Sequence, residues 1–355
     1  MIKNEELQRL IFEFVQRTPA FGLDTKEVYE QKDLILNLLH KKFSQHRSYS
    51  LISRLNNEDI FELESKKSIF IPVDYFKRRD LEFDGSYRSL YSSGTSKEGK
   101  SRVSMDKNDA MNQRIALSKI LTTFFGNVRR PMLFLNSPFT ASTSDLTAAH
   151  AAYVGFSLIS SRNYFLENNR SVVKEVFEFC EKFHEESPII FGFTFNIYES
   201  ILSEGSSLGN FPNLTVIHGG GWKKLEKISL NKKNFRSKIF ETLGTKRVHD
   251  YYGMAEQTGG IYLECHEERY HVSNFSDIFV RDGSLGIIND GTHGIIQSIS
   301  LLNSSYPAFS ILTKDIGYLH YDKASDCPCG IPGKTVGVVG RINSAELRGC
   351  SDSLS

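Results

Sequence analysis

Between about residues 85 and 260 the chain alternates short apolar runs with amphipathic stretches, the pattern of strands and helices taken in turn. Residues 132–135, 189–195 and 214–217 read as apolar strands, residues 171–184 and 196–203 as helices, and residues 148–152 as a segment of small side chains. Past residue 260 the pattern changes to short strands separated by turns such as Asp282-Gly283 and Asp290-Gly291, and no strong helix follows. Ahead of residue 75 the spacing is helical. Leu7, Leu10, Ile11 and Phe14 share one face, and Val28, Leu34, Ile35, Leu38 and Leu39 mark a second helix. The expected fold class is therefore α/β, with a helical N-terminal region at 1–75, an α/β core at 76–260, a β-rich C-terminal subdomain at 261–340 and a short tail at 341–355.

Such a layout needs a large core. The chain has 26 Phe and 15 Tyr, is 40% hydrophobic and holds only 9 Pro, which excludes a disordered protein. Lys and Arg number 43 against 42 Asp and Glu, so the net charge of +1 gives no electrostatic reason to expect nucleic acid or an anionic membrane as partner. The basic pairs Lys223-Lys224 and Lys232-Lys233 are too short to alter that and read as solvated faces. The first helix is interrupted by Glu and Arg, unlike a signal peptide. The most apolar stretch, residues 148–160, falls short of the roughly 20 residues that span a bilayer. No transmembrane segment and a cytoplasmic location are expected.

Residues 92–102, Ser-Ser-Gly-Thr-Ser-Lys-Glu-Gly-Lys-Ser-Arg, concentrate glycine, hydroxyls and cations, the groups with which a loop wraps phosphate oxygens. Residues 94–101 also satisfy the Walker A pattern G-x-x-x-x-G-K-S. A Walker loop leaves a buried strand and enters a helix. Here residues 85–91 read as polar and exposed, and Val103-Ser104-Met105 reads as a strand, which argues against a P-loop NTPase. A bland surface loop is the third reading.

Other stretches join this loop in order. Ser92-Ser93-Gly94-Thr95-Ser96 resembles the phosphate loop of the adenylate-forming enzymes, the superfamily of acyl-CoA synthetases and luciferases. His218-Gly219-Gly220-Gly221-Trp222-Lys223 resembles the turn that approaches adenine, and Tyr252-Gly253-Met254-Ala255-Glu256 the Tyr-Gly-x-Thr-Glu motif. Thr313-Lys314-Asp315-Ile316-Gly317 matches Thr-x-Asp-x-Gly, and Gly340-Arg341 the later Gly-Arg. Within that superfamily, the runs 218–224 and 252–259 and the ending Glu346-Leu347-Arg348-Gly349-Cys350 resemble the LuxE-type acyl-protein synthetases. The likeness covers most of the chain and is weakest over the first 75 or so residues.

The resemblance implies an adenylate-forming fold whose core, 76–260, binds nucleotide and acyl group, and an enzyme that uses ATP and Mg²⁺ to activate a carboxylic acid, here a fatty acid. An acyl-accepting protein or reductase would be its partner. By the same resemblance, Ser92, Ser93, Gly94, Thr95 and Ser96, with Lys100 or Arg102 (Lys97 is a third option), would hold phosphate; Gly219, Gly220 and Gly221 would approach the adenine, and Tyr252 and Gly253 would also belong to the nucleotide site. Glu256 would hold Mg²⁺, Asp315 the ribose, Arg341 would assist, and Cys350 would accept the acyl group as a thioester. Two departures stand out. Ala255 replaces the usual Thr or Ser, and the sequence given ends soon after Arg341, so the family's large mobile C-terminal domain and its lysine are expected to be absent.

Five cysteines, two of them in a Cys-x-Cys pair, suggest metal or thiol chemistry rather than a disulfide framework. Cys327-Pro328-Cys329-Gly330 presents two thiolates in a tight turn, and Cys265 with His271 would complete a tetrahedral zinc set. His266 is the rival nitrogen, and free thiols or a redox pair are the other readings. Phenylacetate-CoA-ligase-like relatives carry a related arrangement. Gly205-Ser206-Ser207-Leu208-Gly209 fits the serine-hydrolase pattern, but a helix precedes it and a strand follows, the reverse of a nucleophile elbow. Cys180 reads as packing, and Phe191–Phe193 with Phe195 either line an acyl pocket or belong to the core. An acyl-CoA ligase and a catalytically weak nucleotide-binding scaffold remain as rival functions.

Overall fold

The computed structural model describes residues 4–22, 25–53, 56, 58–77, 88–91, 101–135, 145–166, 171–203, 205–221, 230–288, 291–320 and 327–342. Three helices open the chain: α1 (Asn4–Arg17), α2 (Lys26–Phe43) and α3 (Arg47–Ser53). Thr25 starts α2 by accepting the Val28 N–H, which satisfies one of the donors a helix leaves open at its first turn. The short strand β1 (Ile71–Pro72) follows.

Strands β2 (Arg88–Tyr91) and β3 (Arg102–Met105) pair antiparallel, and β2 also pairs in parallel with β5 (Asp145–Thr147) to form a small three-stranded sheet. Helix α4 (Lys107–Phe125) begins at Asp106, whose carboxylate accepts the Asp109 N–H at 2.8 Å. Strand β4 (Arg130–Phe134), helix α5 (Ala148–Phe156), strand β6 (Ser160–Phe165), helix α6 (Val172–Phe183) and strand β7 (Ile189–Phe193) continue the alternation. The aromatic run stops being a strand at Phe193. Thr194 opens α7 (Thr194–Ile197) and a further turn through Leu202, so Phe195 lies on a helix. Strand β8 (Thr215–Gly219), helix α8 (Lys232–Leu243) and strand β9 (Arg247–Tyr252) close the α/β half. Gly244 terminates α8 with φ of +70°, where a Cβ would lie 2.6 Å from the Asn210 Cα, so the turn requires glycine.

The remaining strands are β10 (Tyr262–Glu264), β11 (Tyr270–His271), β12 (Ser276–Arg281), β13 (Ile287–Ile288), β14 (Gly294–Ser300), β15 (Ser310–Leu319) and β16 (Thr335–Arg341). Among the described residues they join the parallel strands in one mixed sheet of order β13-β12-β14-β15-β16-β11-β10-β9-β8-β7-β4-β6, with β1 against β15. The parallel half is β6-β4-β7-β8-β9, and from β10 onward neighbours on this path are antiparallel. In a parallel sheet the crevice for ligands lies beyond the carboxyl ends of the strands. Here those ends are Phe193, Gly219 and Tyr252.

The central parallel strands β4, β7 and β8 are buried on both faces, while the edge strand β6 is largely exposed. Cys180 of α6 is fully buried with Val176, Phe179 and Phe183 against Leu133 and Ile190, and burial pushes its thiol up to about 12, so it acts as an apolar side chain. The N-terminal helices share a core with the antiparallel half: Phe43 stacks on Phe309 at 6.0 Å, and Leu36, Leu39 and Phe61 join the same cluster as Phe275 and Ile311. Each such fully buried side chain contributes about 1.5–3 kcal/mol relative to exposure. Lys32 of α2 is buried with them and donates to the Ser276 carbonyl at 2.9 Å beside Asp277, which ties the helix to β12. No helix among the described residues is long and apolar enough to cross a membrane.

Candidate functional site

The segments singled out as phosphate, metal and ribose ligands come from distant parts of the chain, and their described residues converge. Tyr252, at the end of β9, donates its hydroxyl to Asp315 Oδ2 at 2.8 Å. On the neighbouring pair β15–β16, Asp315 lies in register with Arg341, whose Nε is 3.5 Å from Asp315 Oδ1. Burial pushes the Asp315 carboxyl above its usual range, opposed by Arg341 and by the Tyr252 hydrogen bond. A carboxylate has about four lone-pair sites. Tyr252 takes one, and a side chain still 22% exposed keeps acceptors available to diol hydroxyls.

Glu256 follows β9 in a short 3₁₀ turn and is only 5% exposed. Its carboxyl accepts hydrogen bonds from the buried Ser101 hydroxyl and from its own backbone N–H, and it lies within the fields of Arg341 and Asp315. Burial raises its pKa against those stabilising contacts. Ser101 is the last residue of the glycine-rich run before β3, so the exit of that run meets Glu256, and Glu256 lies within electrostatic reach of the Asp315–Arg341 pair. Arg102 itself is exposed, while its carbonyl accepts the Tyr306 hydroxyl at 2.6 Å. Ser92, Ser93, Gly94, Thr95, Ser96 and Lys100 lie outside the described residues, as do Trp222, Lys223 and Cys350. The flanks of the run are two antiparallel strands, β2 and β3, and Leu90 of β2 is buried, unlike the polar, exposed approach expected from sequence. Strand-to-strand flanks still differ from the strand-to-helix passage of a Walker loop.

Gly219 lies where β8 ends between Phe193 and Tyr251, and a Cβ there would stand 2.2 Å from the Tyr251 ring. Gly220 has φ of +91°, Gly221 faces open space, and Gly253 is packed by Ile261. Under this turn lies a polar network that the sequence reading missed. His218 Nδ1 bonds Thr194 Oγ1 at 3.0 Å and faces Asp250 at 3.6 Å, and Tyr270 donates to the other Asp250 oxygen at 2.7 Å. Burial holds His218 down at about 3, so the ring is neutral. Fully buried Glu264 takes Arg236 at 2.6 Å and also Lys232. Lys232, expected on a solvated face, is instead committed to this buried carboxylate and sits 4.6 Å from the Tyr270 ring centroid. A lysine stem of four carbons reaches inward from the first turn of α8, and an unpaired Glu264 would be costly.

Next to Glu264, the chain forms a second cluster. Cys265, His271, Cys327 and Cys329 bring their ligand atoms within 4.8 Å of one another, the group of this kind found among the described residues. Cys265 Sγ is 3.7 Å from Cys327 Sγ, and Cys329 Sγ is 3.3 Å from His271 Nε2. Tetrahedral zinc with Zn–S near 2.3 Å spaces two sulfurs by roughly 3.8 Å, so this donor set fits. A disulfide, with sulfurs about 2.0 Å apart, does not. His266 is exposed beside Glu267 and takes no part. Ser207 is exposed in a segment without regular structure between a helical turn and β8, which offers no nucleophile elbow.

The profile of the family described as acyl-protein synthetase, LuxE, matches residues 1–355. The chain belongs to the LuxE acyl-protein synthetase family. The long-chain-fatty-acid–luciferin-component ligase of Aliivibrio fischeri is 28% identical over 143 residues, 39% of this chain and 37% of that protein. The corresponding ligase of Vibrio harveyi is 27% identical over 158 residues, 43% of this chain and 39% of that one. The matched segments thus span under half the length of these LuxE-type relatives. Among solved structures, a 2-hydroxyisobutyryl-CoA ligase in complex with its acyl-adenylate and CoA superposes with a TM-score of 0.61 at 14% identity, over 91% of this chain and 73% of that one. The likeness establishes the α/β adenylate-forming fold, with a large mixed sheet and N-terminal helices, for this LuxE family member.

Proposed function

We propose that the chain joins a carboxylic acid to ATP, releasing pyrophosphate and forming an acyl-adenylate, and then transfers the acyl group to a cysteine thiol. The observation that carries this reading is the meeting of Ser101, Glu256, Tyr252, Asp315 and Arg341 from four separate segments. A carboxylate oxygen attacks the α-phosphorus, the bond to the β-phosphate breaks, and pyrophosphate leaves. Residues 92–96, with Lys100 or Arg102, would donate to the phosphate oxygens as charge builds there. Asp315 would accept the ribose hydroxyls, oriented by Tyr252 and Arg341. Glu256 suits Mg²⁺, being a hard oxygen donor that forms no ion pair with a cationic side chain among the described residues, and the ion would offset phosphate charge.

The second step breaks the acyl–phosphate bond. A thiolate attacks the acyl carbon and AMP leaves. Cys350 in the tail 341–355 is the proposed acceptor, with an acyl-accepting protein or reductase downstream; a fatty acid is the proposed substrate, the acid class that the Vibrio and Aliivibrio relatives' names give for those proteins. Reduced thiols suit a cytoplasmic setting. Incubation with ATP, Mg²⁺ and a panel of acids should add one acyl mass to the intact chain, labile to hydroxylamine and absent from Cys350→Ser. An unchanged mass increase in that variant moves the acceptor elsewhere, and acyl transfer only when CoA is supplied favours the acyl-CoA ligase.

The pH dependence has a defined sign. Burial raises the Glu256 pKa, so protonation begins to compete for its oxygens at higher pH than for an ordinary glutamate, near about 4.3. Exchange of pyrophosphate into ATP should therefore fall on the acid side at a pH above that ordinary value. The limb is read at Mg·ATP well below saturation, where the metal-free carboxylate governs it, because bound Mg²⁺ favours the charged form; a limb at or below the ordinary value there contradicts a role for the Glu256 carboxylate.

A further inference from the structure

A segment that the motifs leave out, residues 303–306, touches both ends of the proposed phosphate and metal site. Its anchor is Asp109 of α4, only 1% exposed, which accepts the backbone N–H of Ser304 at 2.9 Å and of Ser305 at 2.9 Å. The same carboxylate accepts the Ser304 hydroxyl at 2.6 Å and the Ser305 hydroxyl. Four donors on one buried carboxylate fix the segment, and Lys42 Nζ adds a hydrogen bond to the Ser304 carbonyl at 2.6 Å. One turn further along α4, Gln113 donates to Asn303 Oδ1 at 3.0 Å and accepts from Thr258 at 2.7 Å.

From this anchored base the segment reaches in two directions. Asn303 Nδ2 donates to the backbone carbonyl of Glu256 at 3.4 Å and to that of Ala308 at 3.3 Å. Tyr306 donates its hydroxyl to the backbone carbonyl of Arg102 at 2.6 Å, while its ring packs on Phe76 at 5.4 Å. Arg102 is the first residue of the strand leaving the glycine-rich run, and Glu256 is its neighbour through Ser101. The segment is therefore a brace between the backbone of the run's exit and the backbone of the 3₁₀ turn that carries Glu256.

We propose that residues 303–306, fastened by Asp109, set the spacing between the phosphate-binding run and Glu256, and that Tyr306 is the positioning residue that holds the run for the triphosphate of ATP. The inference rests on the adenylation reading. Tyr306 touches neither phosphate nor metal in this proposal and acts only through the Arg102 carbonyl. Deleting its hydroxyl should loosen the run's exit and weaken triphosphate binding while leaving the ring's packing in place.

The test compares wild type with Tyr306→Phe, using Mg·ATP binding by calorimetry without acid, exchange kinetics with acid, and thermal unfolding. The expected result is a KM and a dissociation constant for ATP raised roughly fivefold, the effect of about one neutral hydrogen bond, with kcat, the KM for the acid and the unfolding midpoint little changed. A merely structural tyrosine would instead lower the midpoint and leave the ATP constants alone. Unchanged ATP constants in Tyr306→Phe, in a wild type that binds ATP, overturn this inference only. A wild-type chain that binds no ATP overturns both this inference and the adenylation reading.

Discussion

Replacing Glu256 with Gln lowers acid-dependent exchange of pyrophosphate into ATP by about a hundredfold, the size seen when a single group that orients a metal or stabilises developing charge is removed. Gln keeps the shape and can still accept from the Ser101 hydroxyl, so the substitution isolates the charge. Stability moves the other way. Because burial raises the folded-state pKa, the charged form costs stability above that raised value, and the cost vanishes below the ordinary glutamate value near about 4.3. At neutral pH the neutral Gln removes the cost, and the unfolding midpoint stays level or rises. This opposition separates a ligand from a structural carboxylate, since a structural carboxylate would lose both. Exchange rates within a few-fold of wild type would remove Glu256 from the site. A parallel loss of exchange and thermal stability would do the same, because the defect would then be one of folding.

The residues of that site were legible in sequence only as ordered motifs, not as a place. Tyr252, Glu256, Asp315 and Arg341 stand out because each sits in a short, unusual string, yet nothing local says that β15 and β16 put Asp315 opposite Arg341. The parallel half was legible from its apolar runs, with one error of extent: the run 189–195 stops being a strand at Phe193, because Thr194 opens α7 with its hydroxyl bonded to His218 and to the Gly219 carbonyl, partners that the run does not reveal. Helix α4 did not announce itself. Its buried face mixes Ala116, Leu117, Ile120 and Leu121 with Asp109, Asn112 and Gln113, and polar residues at inward positions break the period on which recognition depends.

Those inward polar residues show why the remainder was hidden. Ser304 and Ser305 look like surface turn residues, and Lys232 like a solvated cation, until their partners are known. Asp109 lies almost two hundred positions from the two serines, and Glu264 is supplied by another element than the helix carrying Lys232. Sequence reasoning prices a polar residue by its own chemistry. Burial prices it by whether a partner arrives, and that is decided by tertiary contact. The Cys265, His271, Cys327 and Cys329 set was readable although Cys265 and Cys327 stand 62 positions apart, because cysteine pairs in tight turns have few other uses in a chain expected to be reduced.

Loss of metal from that set should produce the largest change in stability. We expect elemental analysis of wild type to give one zinc per chain, and expect Cys327→Ser, or a strong chelator, to remove it and lower the unfolding midpoint by roughly 5–10 °C, taking several kcal/mol for a structural zinc whose surroundings partly hold without it. The cluster joins the turn between β10 and β11 to the segment just ahead of β16, and β16 pairs with β11 at Tyr270↔Val336 and His271↔Thr335. The same strand ends at Arg341, in register with Asp315. Releasing the cluster loosens the start of β16, and the Arg341–Asp315 pairing lies at the other end of the same strand, beyond a bulge at Ile316/Gly317. The zinc-free protein should accordingly bind ATP more weakly while it is still folded, and a subsaturating chelator should lower ATP affinity and midpoint together. Metal-free wild type of unchanged midpoint and ATP affinity would leave three thiols and an imidazole in contact for no structural purpose, and the reading of this cluster as a staple for the nucleotide-facing strand would fall.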